Sequence, residues 1–178
     1  MTILYECGES LPQNDELFMQ RAYSQALHAY ENREVPVGAV VVHAGQIIGR
    51  GYNQIEKLQD ATAHAEVLCL GAAAHHHGTW RLTECTLYVT LEPCMMCLGA
   101  ILQSRISRVV FGAGDSRFGA LHSEAYRSQA YDAYGRFPEI IPGIYEEQCR
   151  ELIQRFFREI RMQRKMEKER AAAQNESV

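Results

Sequence analysis

The stretch Thr86-Leu-Tyr-Val-Thr-Leu-Glu-Pro-Cys-Met-Met-Cys-Leu-Gly-Ala-Ile-Leu102, with Arg108-Val-Val-Phe-Gly112 after it, decides the fold class. Its first six residues form a short run bounded by Glu-Pro, and such a run reads as a buried strand. Pro93 then opens a helix carrying Cys94 to Leu102, because its fixed φ suits the start of a helix. Arg108 to Gly112 returns to strand. Toward the N-terminus, Ala63 to Ala74 has helical spacing and Gly78 ends it. Gly38 to Val42 and Ile47 to Tyr52 are β-branched, apolar runs joined by His43-Ala44-Gly45-Gln46, which predicts a hairpin. Asp15 to Tyr30 reads as a helix through Phe18, Ala22, Ala26 and Ala29, and Glu34-Val35-Pro36 breaks it. The order α-β-β-α-β-α-β predicts a sheet with helices on both faces, an α/β domain.

Beyond Gly112 the pattern is weaker. Gly114 to Gly119 reads as a loop, and Ala120 to Tyr134 has helical spacing without a clear apolar face. Phe137-Pro-Glu-Ile-Ile-Pro-Gly143 suits either a short edge strand or a connector. Glu146 to Lys168 predicts a long helix whose buried stripe is Cys149, Ile153, Phe156, Phe157 and Ile160. The end, residues 171–178, is expected to fray, and no internal repeat is visible.

The chain has 178 residues, 47 % hydrophobic and 22 % charged, which suits one soluble domain spanning 1–178 with its core at about 15–165. No apolar run is long enough for a membrane span, and the first residues lack a secretory pattern, so the cytoplasm is the expected compartment. In that reducing setting the six cysteines point to metal binding or burial before disulfides. The net charge of −4 argues against affinity of the whole molecule for polyanions. Charge is nevertheless uneven. Arg150, Arg155, Arg158, Arg161, Arg164, Lys165, Lys168 and Arg170 crowd the last helix against Glu151, Glu159, Glu167 and Glu169. That asymmetry permits a local nucleic-acid footprint, although a solvated helix laced with salt bridges has the same composition.

Two short motifs carry the chemistry: His64-Ala65-Glu66 and Pro93-Cys94-Met95-Met96-Cys97. Cysteines three apart at a helix start project to one side, where the helix dipole and free N–H groups lower thiol pKa values. Two thiolates and an imidazole suit a borderline-soft ion such as Zn²⁺. Three protein ligands leave one tetrahedral position for water, which marks a catalytic rather than a structural site. Zinc brings the pKa of bound water to around 7. Glu66, two residues from His64, is spaced to take a proton from that water and pass it on. The order H-x-E…P-C-x-x-C is an established signature of zinc nucleobase deaminases.

With these motifs the chain resembles the cytidine deaminase-like superfamily, and within it the bacterial tRNA-specific adenosine deaminases. The resemblance runs from about Asp15 to Lys165. It rests on Glu34-Val-Pro-Val-Gly-Ala-Val, Gly51-Tyr-Asn53, Thr62-Ala-His-Ala-Glu66, Trp80-Arg-Leu and Leu87 to Ala100. Ser104-Arg-Ile, Val109-Val-Phe-Gly-Ala and Phe156-Phe-Arg158 complete it. It implies a three-layer α/β/α sandwich around a five-stranded mixed sheet, one Zn²⁺ per subunit and a homodimer whose partner helps line an RNA cleft. The implied reaction is adenosine to inosine at the wobble position of a tRNA anticodon. By resemblance His64, Cys94 and Cys97 hold the metal, Glu66 shuttles the proton and Asn53 hydrogen-bonds the purine. Ala65 and Pro93 lend backbone groups, Val35 and Pro36 wall the flipped base, and Asp115 contacts the RNA backbone. Two segments depart from the family pattern: Ser116-Arg-Phe-Gly-Ala-Leu-His-Ser-Glu124 and Tyr131-Asp-Ala-Tyr-Gly-Arg-Phe-Pro138.

Other chemistry-bearing residues read as structural. His75-His76-His77 ends a helix in solvent, Cys69 is core, and Cys7, Cys85 and Cys149 are free thiols. Trp80 is expected to anchor packing, and Phe156 and Phe157 to face the core. Two other functions share parts of the pattern. A deaminase of free bases or nucleosides, guanine or cytosine, has the same zinc motifs, but guanine deaminases usually carry Gly-Gly-Pro-Phe-Gly where this chain has Glu34-Val-Pro-Val-Gly. A non-catalytic zinc-stabilised RNA-binding module requires a fourth protein ligand.

Overall fold

A computed structural model describes residues 14–175, with side chains through Ala171; Cys7 and the extreme C-terminus, 176–178, lie outside the described residues. The elements in chain order are α1 (Asp15–Glu31), β1 (Gly38–His43), β2 (Gln46–Tyr52), α2 (Ile55–Leu58), α3 (Ala65–His77), β3 (Thr86–Leu91), α4 (Met95–Ser104), β4 (Arg108–Ala113), α5 (Glu124–Tyr134), β5 (Glu139–Pro142) and α6 (Glu146–Asn175).

One five-stranded mixed sheet runs β2-β1-β3-β4-β5. β1 is antiparallel to both β2 and β3, whereas β3, β4 and β5 are parallel. The hairpin forms because Ala44 and Gly45 both take positive φ, the requirement of a two-residue turn matching strand twist. Parallel strands need crossovers, which α4 and α5 supply. The two-residue period of the central strands splits the core in two. Val40, Val42, Tyr88 and Val110 meet Met19 and Ala22 of α1, while Ala39, Val41, Leu87, Val89, Val109 and Phe111 meet the face of α3 and α4. Each fully buried Val or Leu contributes about 1.5–3 kcal/mol, so neither face can turn polar without loss of the fold. α1 and α6 cover one side, and α3 with α4 covers the other. The α/β/α sandwich with a five-stranded mixed sheet is thus present as expected.

Several local readings are corrected. α3 begins at Ala65, because His64 is its extended N-cap at φ −72° and ψ 151°, and it continues through His77 to a left-handed Gly78. Ala120 and Leu121 are buried in the core rather than helical; α5 starts only after Ser123, whose hydroxyl accepts from Tyr126 N–H. Residues 139–142 are a strand, paired with β4. On α6 the buried residues are Cys149, Leu152 and Phe156; Phe157 is 41 % exposed, turned off the stripe. Trp80 is 50 % exposed, with the Arg81 and Arg105 guanidinium groups over its ring at 4.2 and 5.4 Å, so cations cover it rather than core. α6 runs on through Asn175, past the point where fraying was expected, helped by alanines, the best helix formers.

Candidate active site

The site forms where two helices start. His64 caps α3, Cys94 caps α4 in extended conformation, and Cys97 lies in the first turn of α4. Neither cap residue spends its side chain on capping, so imidazole and thiol stay available. The His64 Nδ1 lies 3.8 Å from Cys94 Sγ and 3.4 Å from Cys97 Sγ, and the sulfurs are 3.7 Å apart. Zinc bonds of about 2.3 Å to sulfur and about 2.0–2.1 Å to nitrogen, set tetrahedrally, need edges of about 3.7 Å between sulfurs and about 3.5 Å from sulfur to nitrogen. The triangle fits such an ion. Among the described residues this trio is the one cluster of metal-ligating side chains, and no fourth protein ligand joins it.

The electrostatics fit the same reading. The hydrogen bond with Cys97, and next that with His64, pulls the Cys94 thiol down to about 3. Cys97, joined to Cys94 and buried, is pushed far up. Metal binding takes both cysteines as thiolates, so a divalent cation here would release thiol protons. His64 is raised, first by its hydrogen bond to Cys94. Glu66 is 4 % exposed, and burial raises its carboxyl above the ordinary range. The remaining described cysteines behave oppositely to Cys94: burial pushes Cys85 up to about 11 and Cys149 to about 12, and Cys69 higher still. They are inert thiols of the core.

The surrounding positions come from several elements. Asn53 follows β2, is buried, and donates its N–H to Val37 carbonyl at 3.0 Å. Its side-chain amide makes no hydrogen bond among the described residues, which leaves a donor and an acceptor for a ligand. Gly51 brings this strand against α3; a Cβ there would lie 2.4 Å from the Ala65 carbonyl oxygen. Pro36 is buried and Val35 half-buried beside them. Ala65 is fully buried in the first turn of α3. Pro93 is buried, and its carbonyl accepts from Ala120 N–H at 3.0 Å. Asp115 stands apart: its Oδ1 accepts from the N–H groups of Arg117 and Phe118 at 2.8 and 3.2 Å, holding its own turn.

Two buried carboxylates escaped the sequence reading. Glu34 accepts from the N–H groups of Glu56 and Lys57 at 3.2 and 2.7 Å, tying the Val35-Pro36 segment to the start of α2. Glu92 accepts from Asp115 and Leu121 N–H groups at 3.1 and 3.0 Å. Both lie inside the family-like stretches, yet only their burial reveals the role. Beside the Asp115 loop an open pocket of about 460 Å³ is lined by Arg117, Ile153, Gln154, Phe157, Arg158 and Arg161.

Residues 12–113 match the family model of the cytidine and deoxycytidylate deaminase zinc-binding region. Over 158 residues the chain is 44 % identical to the tRNA-specific adenosine deaminase of Bacillus subtilis (strain 168), a match covering 85 % of this chain and 93 % of that protein. The chain belongs to the tRNA-specific adenosine deaminase family. It is 43 % identical over 158 residues to the chloroplastic tRNA(adenine(34)) deaminase of Arabidopsis thaliana, covering 80 % of this chain but 12 % of the plant protein. A structure solved in a study of A-to-I editing by tRNA:A34 deaminases superposes with a TM-score of 0.72 at 40 % identity, covering 76 % of this chain and 98 % of that one. The guanine deaminase of Bacillus subtilis superposes less completely, with a TM-score of 0.55 at 39 % identity over 57 % of this chain and 66 % of that one. As a member of the tRNA-specific adenosine deaminase family the chain is a zinc-dependent deaminase, a hydrolase.

Proposed function

We propose that this chain hydrolyses adenosine to inosine at the wobble position of a tRNA anticodon, working as one deaminase domain with one Zn²⁺ per subunit. The observation that carries the chemistry is the three-ligand triangle beside a buried Glu66, with no fourth protein ligand among the described residues. When bound, zinc supplies an acidified water at neutral pH. With zinc held by His64, Cys94 and Cys97, Glu66 would take a proton from the attacking water and deliver it to the purine ring nitrogen, then carry the proton of the new C6 hydroxyl to the departing amine. Oxygen from water joins C6, the C6–N bond breaks, and ammonia leaves. Burial that raises the Glu66 carboxyl brings it closer to the operating pH, where a proton shuttle works best. The free amide of Asn53 suits a purine edge, Val35 and Pro36 give it an apolar wall, and backbone groups of Ala65 and Pro93 line the approach.

For the substrate, the reading draws on the match to tRNA deaminases along most of the chain and on a cationic surface near the site. Arg117, Arg158 and Arg161 with Phe157 suit phosphates and a stacked base. Asp115 and its loop would meet the RNA backbone. A homodimer in the cytoplasm completes the reading, with exposed Met95 and Met96 at the start of α4 as apolar surface for a partner. Among the described residues no helix is long and apolar enough to cross a membrane.

The test is a substrate comparison: inosine formation on a minimal anticodon stem-loop, run beside ammonia release from free guanine, cytosine and adenosine. Inosine at one loop adenosine, with negligible ammonia from the free compounds, is expected. Rapid ammonia release from guanine with an untouched stem-loop would move the chain to the free-base deaminases.

A further inference from the structure

We propose that Glu92 is a positioning residue that sets how tightly the site holds RNA, by clamping the loop 115–122 onto the turn that carries Cys94. Glu92 is 6 % exposed and follows the end of β3, two residues before Cys94. Its Oε2 accepts from Asp115 N–H at 3.1 Å, at one end of the loop. Its Oε1 accepts from the N–H groups of Leu121 and His122 at 3.0 and 3.3 Å, at the other end. The His122 ring completes the set, with Nδ1 at 3.2 Å from the same oxygen. One carboxylate therefore closes the loop on itself. Three backbone N–H donors and a ring nitrogen on one side chain make the clamp a firm one.

The loop is also fixed directly to the ligand turn. Ala120 N–H donates to Pro93 carbonyl at 3.0 Å, and Gly119 pairs with Cys94 in an antiparallel bridge. Gly119 leaves no room to shift: an added Cβ would lie 2.3 Å from Glu92 Oε2 and 2.5 Å from Asp115 carbonyl oxygen. What the clamp presents outward is Arg117, a wall of the pocket shared with Phe157, Arg158 and Arg161, and Phe118, 63 % exposed under the Arg117 guanidinium. Glu92 itself is buried, and both of its oxygens accept from the loop. Its effect is on RNA affinity, exerted through the cation and aromatic ring it holds in place. This inference rests on the RNA reading above.

Glu92→Gln keeps the size of the side chain but turns an NH₂ group toward backbone donors, breaking one arm of the clamp. Gly119→Ala crowds the Glu92 carboxylate from within the loop while Glu92 itself is unsubstituted, and so covers the case in which Glu92→Gln folds poorly. Both are measured on the full chain loaded with zinc, for zinc content, steady-state kinetics on the stem-loop, and hydrogen exchange of the loop amides. The expected result is wild-type zinc content, kcat within about threefold, KM raised about tenfold, and faster exchange at Asp115, Leu121 and His122 alone. A fall of kcat in step with depleted zinc, or an unchanged KM in both variants, overturns the proposal. If the wild-type chain fails on the stem-loop, the RNA reading falls, and unaltered exchange at those three amides still overturns the clamp independently.

Discussion

The turn around Cys94 and the loop that folds over it, 115–122, touch through several hydrogen bonds yet answer to different physics. The ligand turn sits where two helices start, with Cys97 buried and Cys94 half-buried. Each reactive group is placed by regular elements, and the Cys94 thiol is pulled far down. The loop holds its shape through backbone N–H groups converging on one distant carboxylate, and it exposes Arg117 and Phe118 to solvent. On the proposed function the first region carries the chemistry. The second, on the same proposal, carries contact, where each group adds a modest share.

That contrast predicts graded effects. The largest come from the ligands: His64→Ala or Cys97→Ala should lose both zinc and activity, since a site with two protein ligands binds zinc poorly and metal binding is coupled to folding. Metal analysis after dialysis, with thermal melting, checks this. Near-stoichiometric zinc of normal affinity in either variant would disprove the ligand set.

A smaller effect is expected on the far face of the sheet, which serves as a control for both regions. Asp15 receives two hydrogen bonds from Arg108, at 2.9 and 2.7 Å, and one from the Tyr88 hydroxyl at 2.8 Å. Arg108 first, and Tyr88 less, hold the Asp15 carboxyl below its ordinary 3.8 although burial opposes them. A depressed folded pKa stabilises above the unfolded value and loses that contribution as pH falls through the folded one. Asp15→Asn should therefore cost about 2 kcal/mol at neutral pH, the scale of hydrogen bonds to charged groups. The gap from wild type should narrow below about pH 4, with zinc content unchanged. Denaturation curves from pH 7 to pH 3 decide the point; a gap that stays constant with pH would remove the ion pair as its cause.

The smallest effect concerns α6. Arg155 is engaged at home, donating to Glu159 at 3.0 Å and lying over the Tyr30 ring, so it is a poor candidate for RNA. Arg158 and Arg161 are exposed and share the pocket with Arg117. Neutralising both should weaken stem-loop binding without altering zinc. The salt dependence should become shallower, by about 0.7 in slope for each phosphate that the variant no longer neutralises. Titrations at several salt concentrations test this, and a slope equal to wild type would leave that face as plain solvated helix.

The same contrast explains how much of the molecule is legible in its sequence. The hairpin, the three central strands and the presence of helices after the His64 and Cys94 motifs follow from short-range rules, in which turn residues and β-branched runs lie within a few residues of what they determine. The helix starts fall two residues later than expected, at Ala65 and Met95, because His64 and Cys94 are extended caps. The ligand motifs are equally local. The loop after Asp115 is opaque because its shape depends on Glu92, more than twenty residues away in sequence for every bond. The start of α5 differs from its expected place because Ala120 and Leu121 are helix-compatible residues drawn into the core instead. Phe157 and Trp80 depart from expectation since apolar character alone cannot distinguish a core face from a surface where an aromatic ring meets arginines. Helical periodicity also cannot tell Leu152 from Phe157 as the residue facing the sheet.

On the proposed function a buried Glu66 moves protons for a metal that His64, Cys94 and Cys97 hold without it. The direct test is Glu66→Ala, assayed for zinc content and for inosine formation on the stem-loop in one preparation. Full zinc is expected, with deamination reduced at least about 10²–10⁴-fold, the usual worth of general acid–base help. A variant that keeps more than about a tenth of wild-type activity would contradict it, and so would one that loses its zinc, which would make Glu66 part of the metal site rather than its proton shuttle.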